Sequence, residues 1–180
     1  MVTQLERTPA ALLEALENGE IAAGGASGFG HREHLAVAWE LVGRERLGHA
    51  IERMAAALRR VVTVLGAPEK YNETLTWTWM VVVAERRAEA PEGEDFAGFL
   101  ARNGDLLDPR ATLATYYAPA ELDGAVARSR FVLPRRGGRP WLSARRRSGR
   151  RSGRRSARRR SGRPGRRRSQ PRSGRPRERS

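Results

Sequence analysis

The chain has 180 residues and no Cys, and its 35 Lys and Arg against 20 Asp and Glu give a formal net charge of +15. The charge is unevenly divided: residues 1–134 hold 14 basic and 19 acidic side chains, a net of −5, and residues 135–180 hold 21 Arg and one Glu, a net of +20. This division excludes a uniformly basic nucleic-acid-binding domain, and the lack of Cys excludes disulfides, thiolate metal sites and Cys nucleophiles. We predict a globular domain over 1–134 followed by a basic tail over 135–180.

Membrane and secretory proteins are also disfavoured. The longest apolar run, from Leu75 to Ala84, is too short to span a bilayer. The N-terminus shows no basic segment followed by an apolar one, as a secretory signal would. We therefore expect a cytoplasmic protein with no membrane partner.

The first part of the chain predicts three helices. Thr8 is a suitable N-cap for the first, which ends before Gly19. Five glycines within residues 19–30 indicate a loop. Apolar residues at three- and four-residue spacing mark the next two helices, with Leu41 at the margin of the buried side. The three predicted helices span about residues 9–18, 30–42 and 47–65.

The segment 74–83 is ambiguous between strand and helix. Thr and large apolar residues alternate from Thr74 to Trp79 as they do in a strand, and three valines follow. However, Asn72 is a good N-cap, and no other segment outside the third helix offers an obvious strand partner. We predict one central helix from Asn72 to about Ala88. Shorter helices are predicted near residues 95–103, 109–117 and 120–131, which makes the domain all-α, a compact multi-helix fold.

The tail over 135–180 consists almost entirely of Arg, Ser, Gly and Pro. Of its 46 residues, 21 are Arg, 8 are Ser, 7 are Gly and 4 are Pro. Such a composition cannot build a core and predicts disorder. A flexible polycation binds phosphates by counterion release, and with almost no aromatic residues it would bind nucleic acid without sequence preference. The arginines that would carry this binding are concentrated at Arg145, Arg146, Arg147, Arg150, Arg151, Arg154, Arg155, Arg158, Arg159 and Arg160.

Two origins of this tail stay open. An out-of-frame reading of a GC-rich gene produces the same repeated Arg-Arg-Ser-Gly, so a genuine tail and a frameshift product are equally compatible with residues 135–180.

His31 and His34 stand three residues apart at the start of the predicted second helix, so both rings can lie on one face and approach a shared ion. Two His are too few for a stable divalent metal site, and Glu73 or His49 would have to supply a third ligand. Glu73 is also a candidate general base, with Tyr71 and Asn72 as its neighbours. The alternative is that the two His cap or line the helix and hydrogen-bond within the core.

Five short motifs follow one another within residues 28–134: Phe29-x-His31-x-x-His34-Leu35 with Ala38-Trp39, Tyr71-Asn72-Glu73-Thr74-Leu75-Thr76-x-x-Trp79, Leu106-Leu107-Asp108, Tyr116-Tyr117, and Arg130-Phe131-Val132-x-Pro134. Their order resembles a family of small, uncharacterised, all-helical bacterial proteins. The resemblance implies a fold but no known activity. Members usually carry His where this chain has Asn72, so a family site of three His and one Glu would lack one ligand here, because Asn is a poor transition-metal ligand.

Three hypotheses for function follow. In the first, His31, His34 and Glu73 form a polar site for a metal ion or a small molecule, with or without catalysis. In the second, the Arg-rich tail binds nucleic acid or another polyanion. In the third, the domain is a helical protein-interaction module that has no such site.

Overall fold

The computed structural model describes residues 7–25 and 28–134. Within these ranges the secondary structure is helical and contains no strand, which confirms the all-α prediction. The Arg-rich segment 135–180 lies outside the described residues. Its predicted disorder and its predicted phosphate-binding arginines therefore stay predictions. The helices are α1 (Pro9–Glu17), α2 (Glu20–Ala23), α3 (His31–Arg44), α4 (Leu47–Val64), α5 (Glu73–Ala88), α6 (Phe96–Arg102), α7 (Pro109–Ala114), α8 (Pro119–Leu122) and α9 (Ala125–Ser129), with 3-10 turns at Pro68–Lys70 and Gly104–Leu107.

The first predicted helices are confirmed as α1, α3 and α4. Thr8 caps α1, since its hydroxyl accepts a hydrogen bond from the backbone N of Ala11 at 3.2 Å. Two details were wrong. The glycine-rich segment contains the short helix α2, which forms because it buries Ile21, and Leu41 is fully buried instead of marginal.

The central position of α5 is confirmed, because this helix packs against α3, α4 and α9. The side-chain oxygen of Asn72 accepts a hydrogen bond from the backbone N of Leu75 at 3.0 Å and caps the helix. The strand-like Thr residues fit a helix because their hydroxyls bond to the preceding turn. Thr76 donates to the carbonyl of Asn72 at 3.0 Å, and Thr78 donates to that of Thr74 at 2.6 Å.

The later helices are shorter than predicted. α6 matches its predicted place, but α7 ends at Ala114. The backbone amides of Tyr116 and Tyr117 both donate hydrogen bonds to the carbonyl of Leu113. Pro119 then prevents the helix from continuing. The helix predicted over 120–131 is two helices, α8 and α9, separated by Asp123 and Gly124.

The end of the described chain is fixed to α5. The hydroxyl of Thr74 donates to the carbonyl of Arg130 at 2.9 Å and accepts from the amide of Val132 at 3.1 Å. The hydroxyl of Tyr117 donates to the carbonyl of Val132 at 2.8 Å. These contacts hold the backbone against the core almost to the predicted boundary at residue 134.

Among the described residues, none of the helices has the length and apolar character needed to cross a bilayer.

Candidate functional site

A cavity of about 360 Å³ lies between α3, α4, α5 and the turn that precedes α5. Small-molecule sites typically measure roughly 300–1,000 Å³, so this cavity has room for a small ligand. Most of its lining is apolar, and the polar side chains come from the starts of α3 and α5, as the sequence predicted. The lining residues are Leu35, Ala38, Met54, Leu58, Val62, Leu75 and Met80 on the apolar side, together with Gly30, His31, His34, Lys70, Tyr71, Asn72, Thr76 and Trp79.

His31 is held in place by two contacts from other elements. Its Nε2 donates to the carbonyl O of Leu106 at 2.8 Å, and since a carbonyl only accepts, Nε2 carries a proton. The ring meets that of Trp79 edge-on, with centroids 4.6 Å apart.

His34 lies one helical turn further along and bonds to the backbone through its other ring nitrogen. Its Nδ1 donates to the carbonyl O of Gly30 at 2.7 Å, and its ring contacts Phe29 at a centroid distance of 4.4 Å. Burial lowers the pKa of His34; the Gly30 hydrogen bond opposes this change, and the neighbouring His31 adds to it. The ring is therefore neutral at pH 7, with Nε2 as its acceptor.

Glu73 is not part of this cavity, although all three residues were predicted to share a site. Its carboxylate pairs with Arg59 and accepts hydrogen bonds from the Tyr71 hydroxyl at 2.7 Å and the Trp77 indole N–H at 2.8 Å. Burial raises the pKa of Glu73, but these hydrogen bonds and the Arg59 charge outweigh it, and the net effect lowers the pKa. Glu73 is thus an ionised group whose acceptors already have partners.

Tyr71 and Asn72, predicted as neighbours of the site, both line the cavity. The Asn72 amide is occupied at both ends, because its oxygen caps α5 and its nitrogen donates to the carbonyl of Leu122 at 2.8 Å. The Tyr71 hydroxyl donates to Glu73, and burial together with that hydrogen bond raises its pKa to about 12.

The described residues contain no group of three or more His, Asp or Glu side chains that could hold a metal ion. His49, the other candidate for a third ligand, is exposed and pairs with Glu45 at 2.8 Å. His31 and His34 are therefore brought to one cavity without the third ligand that a metal site needs.

Sequence reasoning missed the α4 wall of the cavity and the cation next to it. Met54, Leu58 and Val62 follow the helical rhythm of core residues, so nothing in their spacing distinguishes a cavity wall from a packed core. Lys70 carried a usable signal: it is the only Lys in a chain that otherwise uses Arg for all its basic residues.

Comparison with protein-family models, with curated proteins and with solved structures finds no match to this chain. The resemblance to a family of small bacterial helical proteins therefore stays a prediction from the sequence. What the described residues define is an all-helical domain with one mainly apolar cavity beside two histidines.

Proposed function

We propose that the helical domain binds a small, mainly apolar molecule in the cavity between α3, α4 and α5, with His31 and His34 as polar contacts. The observation that carries this proposal is the cavity itself. An apolar space of about 360 Å³ with a few polar groups at one side is the usual form of a ligand site.

The hydrogen bonds around the cavity favour binding over catalysis. The hydroxyls that line it already donate to protein acceptors, Tyr71 to Glu73 and Thr76 to the carbonyl of Asn72. Glu73, the predicted base, is ionised but held by three donors. Each of His31 and His34 bonds to a backbone carbonyl through one ring nitrogen and keeps the other nitrogen for a polar group of a ligand.

A probe that fluoresces in apolar surroundings tests this proposal. The full chain is titrated with uncharged N-phenyl-1-naphthylamine, and we expect saturable binding with one site per chain. Leu58→Trp fills the cavity from α4 and should weaken binding at least about tenfold. Val64→Trp is the matched control, because Val64 lies on the same helix, is 68% exposed and does not line the cavity. Absent binding, or equal loss in both variants, would contradict the proposal.

A second function is favoured by the composition of residues 135–180. Twenty-one arginines in 46 residues supply the charge needed to bind a polyanion such as DNA without sequence preference. Binding of the full chain to a DNA duplex should weaken with salt, with a log–log slope of about −0.9 per phosphate contacted. Removal of residues 135–180 should abolish it, because the remaining 1–134 has a net charge of −5. Retained binding would contradict this assignment.

A further inference from the structure

The charges around the cavity are unbalanced in one direction. Among the described residues, no Asp or Glu lines it, and Lys70 is the one Lys or Arg in its lining. Two nearby carboxylates are engaged elsewhere, since Glu33 accepts from the backbone N of Gly30 at 2.8 Å and Glu73 pairs with Arg59. A ligand in this cavity therefore meets one cation without a matching anion among the lining residues.

A neighbouring hollow of about 330 Å³ shows the contrast. It shares Lys70, Asn72 and Leu75 with the cavity but is also lined by Glu69, Asp123 and Arg128, so that two basic and two acidic residues line it. The two spaces share Lys70, and the apolar cavity differs from the hollow in having no Asp or Glu among its lining residues.

Burial places the cation and the apolar lining at different depths. Lys70 is exposed, whereas Leu35, Met54 and Met80 are at most 4% exposed. A charged head group beside Lys70 stays in contact with water, so it escapes the cost of burying a charge. An apolar body attached to it can extend inward along α4 and leave water completely, which is favourable in proportion to its apolar area.

Building on the proposed function, we infer that the ligand is an amphiphile with one negative charge, an acyl or aryl carboxylate, whose head group pairs with Lys70 and whose apolar body fills the cavity. His34 also lines the cavity.

The first test uses displacement of N-phenyl-1-naphthylamine from the full chain by octanoate, octanol and octyltrimethylammonium, which share a chain length and differ in charge. Octanoate should compete best and the quaternary ammonium worst. Lys70→Gln should weaken competition by octanoate about fivefold and leave octanol unchanged. Arg60→Gln is the control, because it removes one positive charge from an exposed position of α4 outside the cavity. Both variants keep the Arg-rich tail, so the difference between them does not include its general attraction for anions.

The second test uses Lys70 as a natural label, because the chain's only primary amines are this side chain and the N-terminus. Acetylation by an N-hydroxysuccinimide ester is followed at both amines by mass spectrometry. With octanoate at about four times its Kd, acetylation of Lys70 should slow about fivefold while the N-terminus reacts as before.

The outcomes separate the two proposals. If the uncharged probe does not bind, the proposed function fails and this inference fails with it. If the probe binds but octanol or octyltrimethylammonium competes as well as octanoate, or if octanoate leaves Lys70 unprotected, the cavity is a ligand site and the anionic head group is wrong.

Discussion

The carbonyl of Gly30 accepts two hydrogen bonds from one residue: the backbone N of His34 at 3.1 Å and its ring Nδ1 at 2.7 Å. The first is the opening bond of helix α3. The second fixes the tautomer and orientation of an imidazole that lines the cavity. The start of α3 and the polar side of the cavity are therefore stabilised by the same backbone atom.

This arrangement predicts a pH dependence of stability. Burial lowers the folded-state pKa of His34 below its ordinary value of 6.5. Between the two pKa values the unfolded chain binds more protons than the folded one, so the free energy of unfolding falls as pH drops below 6.5 and is unaffected by this residue well above it. Urea unfolding between pH 8 and pH 5 measures the effect.

His34→Asn should flatten this pH dependence, since Asn keeps a donor near Nδ1 and does not titrate. His49→Asn is the control, because His49 is exposed on α4. The unfolding free energy of His34→Asn could still fall, as pH drops, as steeply as that of the unaltered chain. In that case the burial of His34 does not cause the pH dependence.

Glu73→Gln distinguishes a structural Glu73 from a catalytic or ligand-binding one. The substitution removes the charge that pairs with Arg59 and weakens the hydrogen bonds from Tyr71 and Trp77, so we expect a loss of about 1–3 kcal/mol in unfolding free energy. Binding of N-phenyl-1-naphthylamine should stay within about twofold, because Glu73 does not line the cavity. Thermal unfolding and titration of the probe, made on the same samples, give both quantities. If a stably folded Glu73→Gln variant no longer binds the probe, Glu73 takes part in ligand binding and this prediction is wrong.

Gly43 and Arg87 should be energetically coupled. The Arg87 guanidinium lies 3.7 Å from the centroid of the Trp39 ring and donates to the Trp39 carbonyl at 2.7 Å. A Cβ at Gly43 would overlap that guanidinium. Gly43→Ala therefore gains about 1 kcal/mol of helix propensity but displaces Arg87, at a cost of about 1–2 kcal/mol.

A double-mutant cycle separates these two effects. In the unaltered background the net change for Gly43→Ala should be close to zero or destabilising. In the Arg87→Ala background the clash is absent, and the same substitution should stabilise α3 by about 1 kcal/mol. Urea unfolding of the four proteins gives the coupling, and an effect of Gly43→Ala that is the same in both backgrounds would contradict the contact.

The elements that the sequence predicted well are those defined by local signals. Thr8 and Asn72 cap helices from within three residues, and the apolar rhythm of α4 is continuous. The ion pair between Glu73 and Arg59 forms because α4 and α5 pack together. The spacing of residues along the sequence does not predict such a contact between two helices. A cavity is harder still, because it is defined by the volume that side chains such as Leu58 leave empty.

Thr74 should hold the end of the ordered chain. Its buried hydroxyl bridges the carbonyl of Arg130 and the amide of Val132. Thr74→Val keeps the side-chain shape and leaves both backbone groups without this partner, so we expect a loss of about 1–3 kcal/mol in unfolding free energy. Trypsin should also cleave faster after Arg128 and Arg130, since cleavage needs the segment to leave α5.

Thr63→Val is the matched control for Thr74→Val. Thr63 is exposed near the end of α4, and its hydroxyl bonds only to the carbonyl of Arg59, one turn back on its own helix, at 2.8 Å. Its replacement should therefore change the unfolding free energy by at most about 0.5 kcal/mol. Limited trypsin digestion with mass spectrometry reads the cleavage at residues 128 and 130 in both variants. Equal cleavage rates in the two would show that the segment is held by the Trp77–Phe131 ring contact and the Tyr117 hydrogen bond, and that Thr74 contributes little.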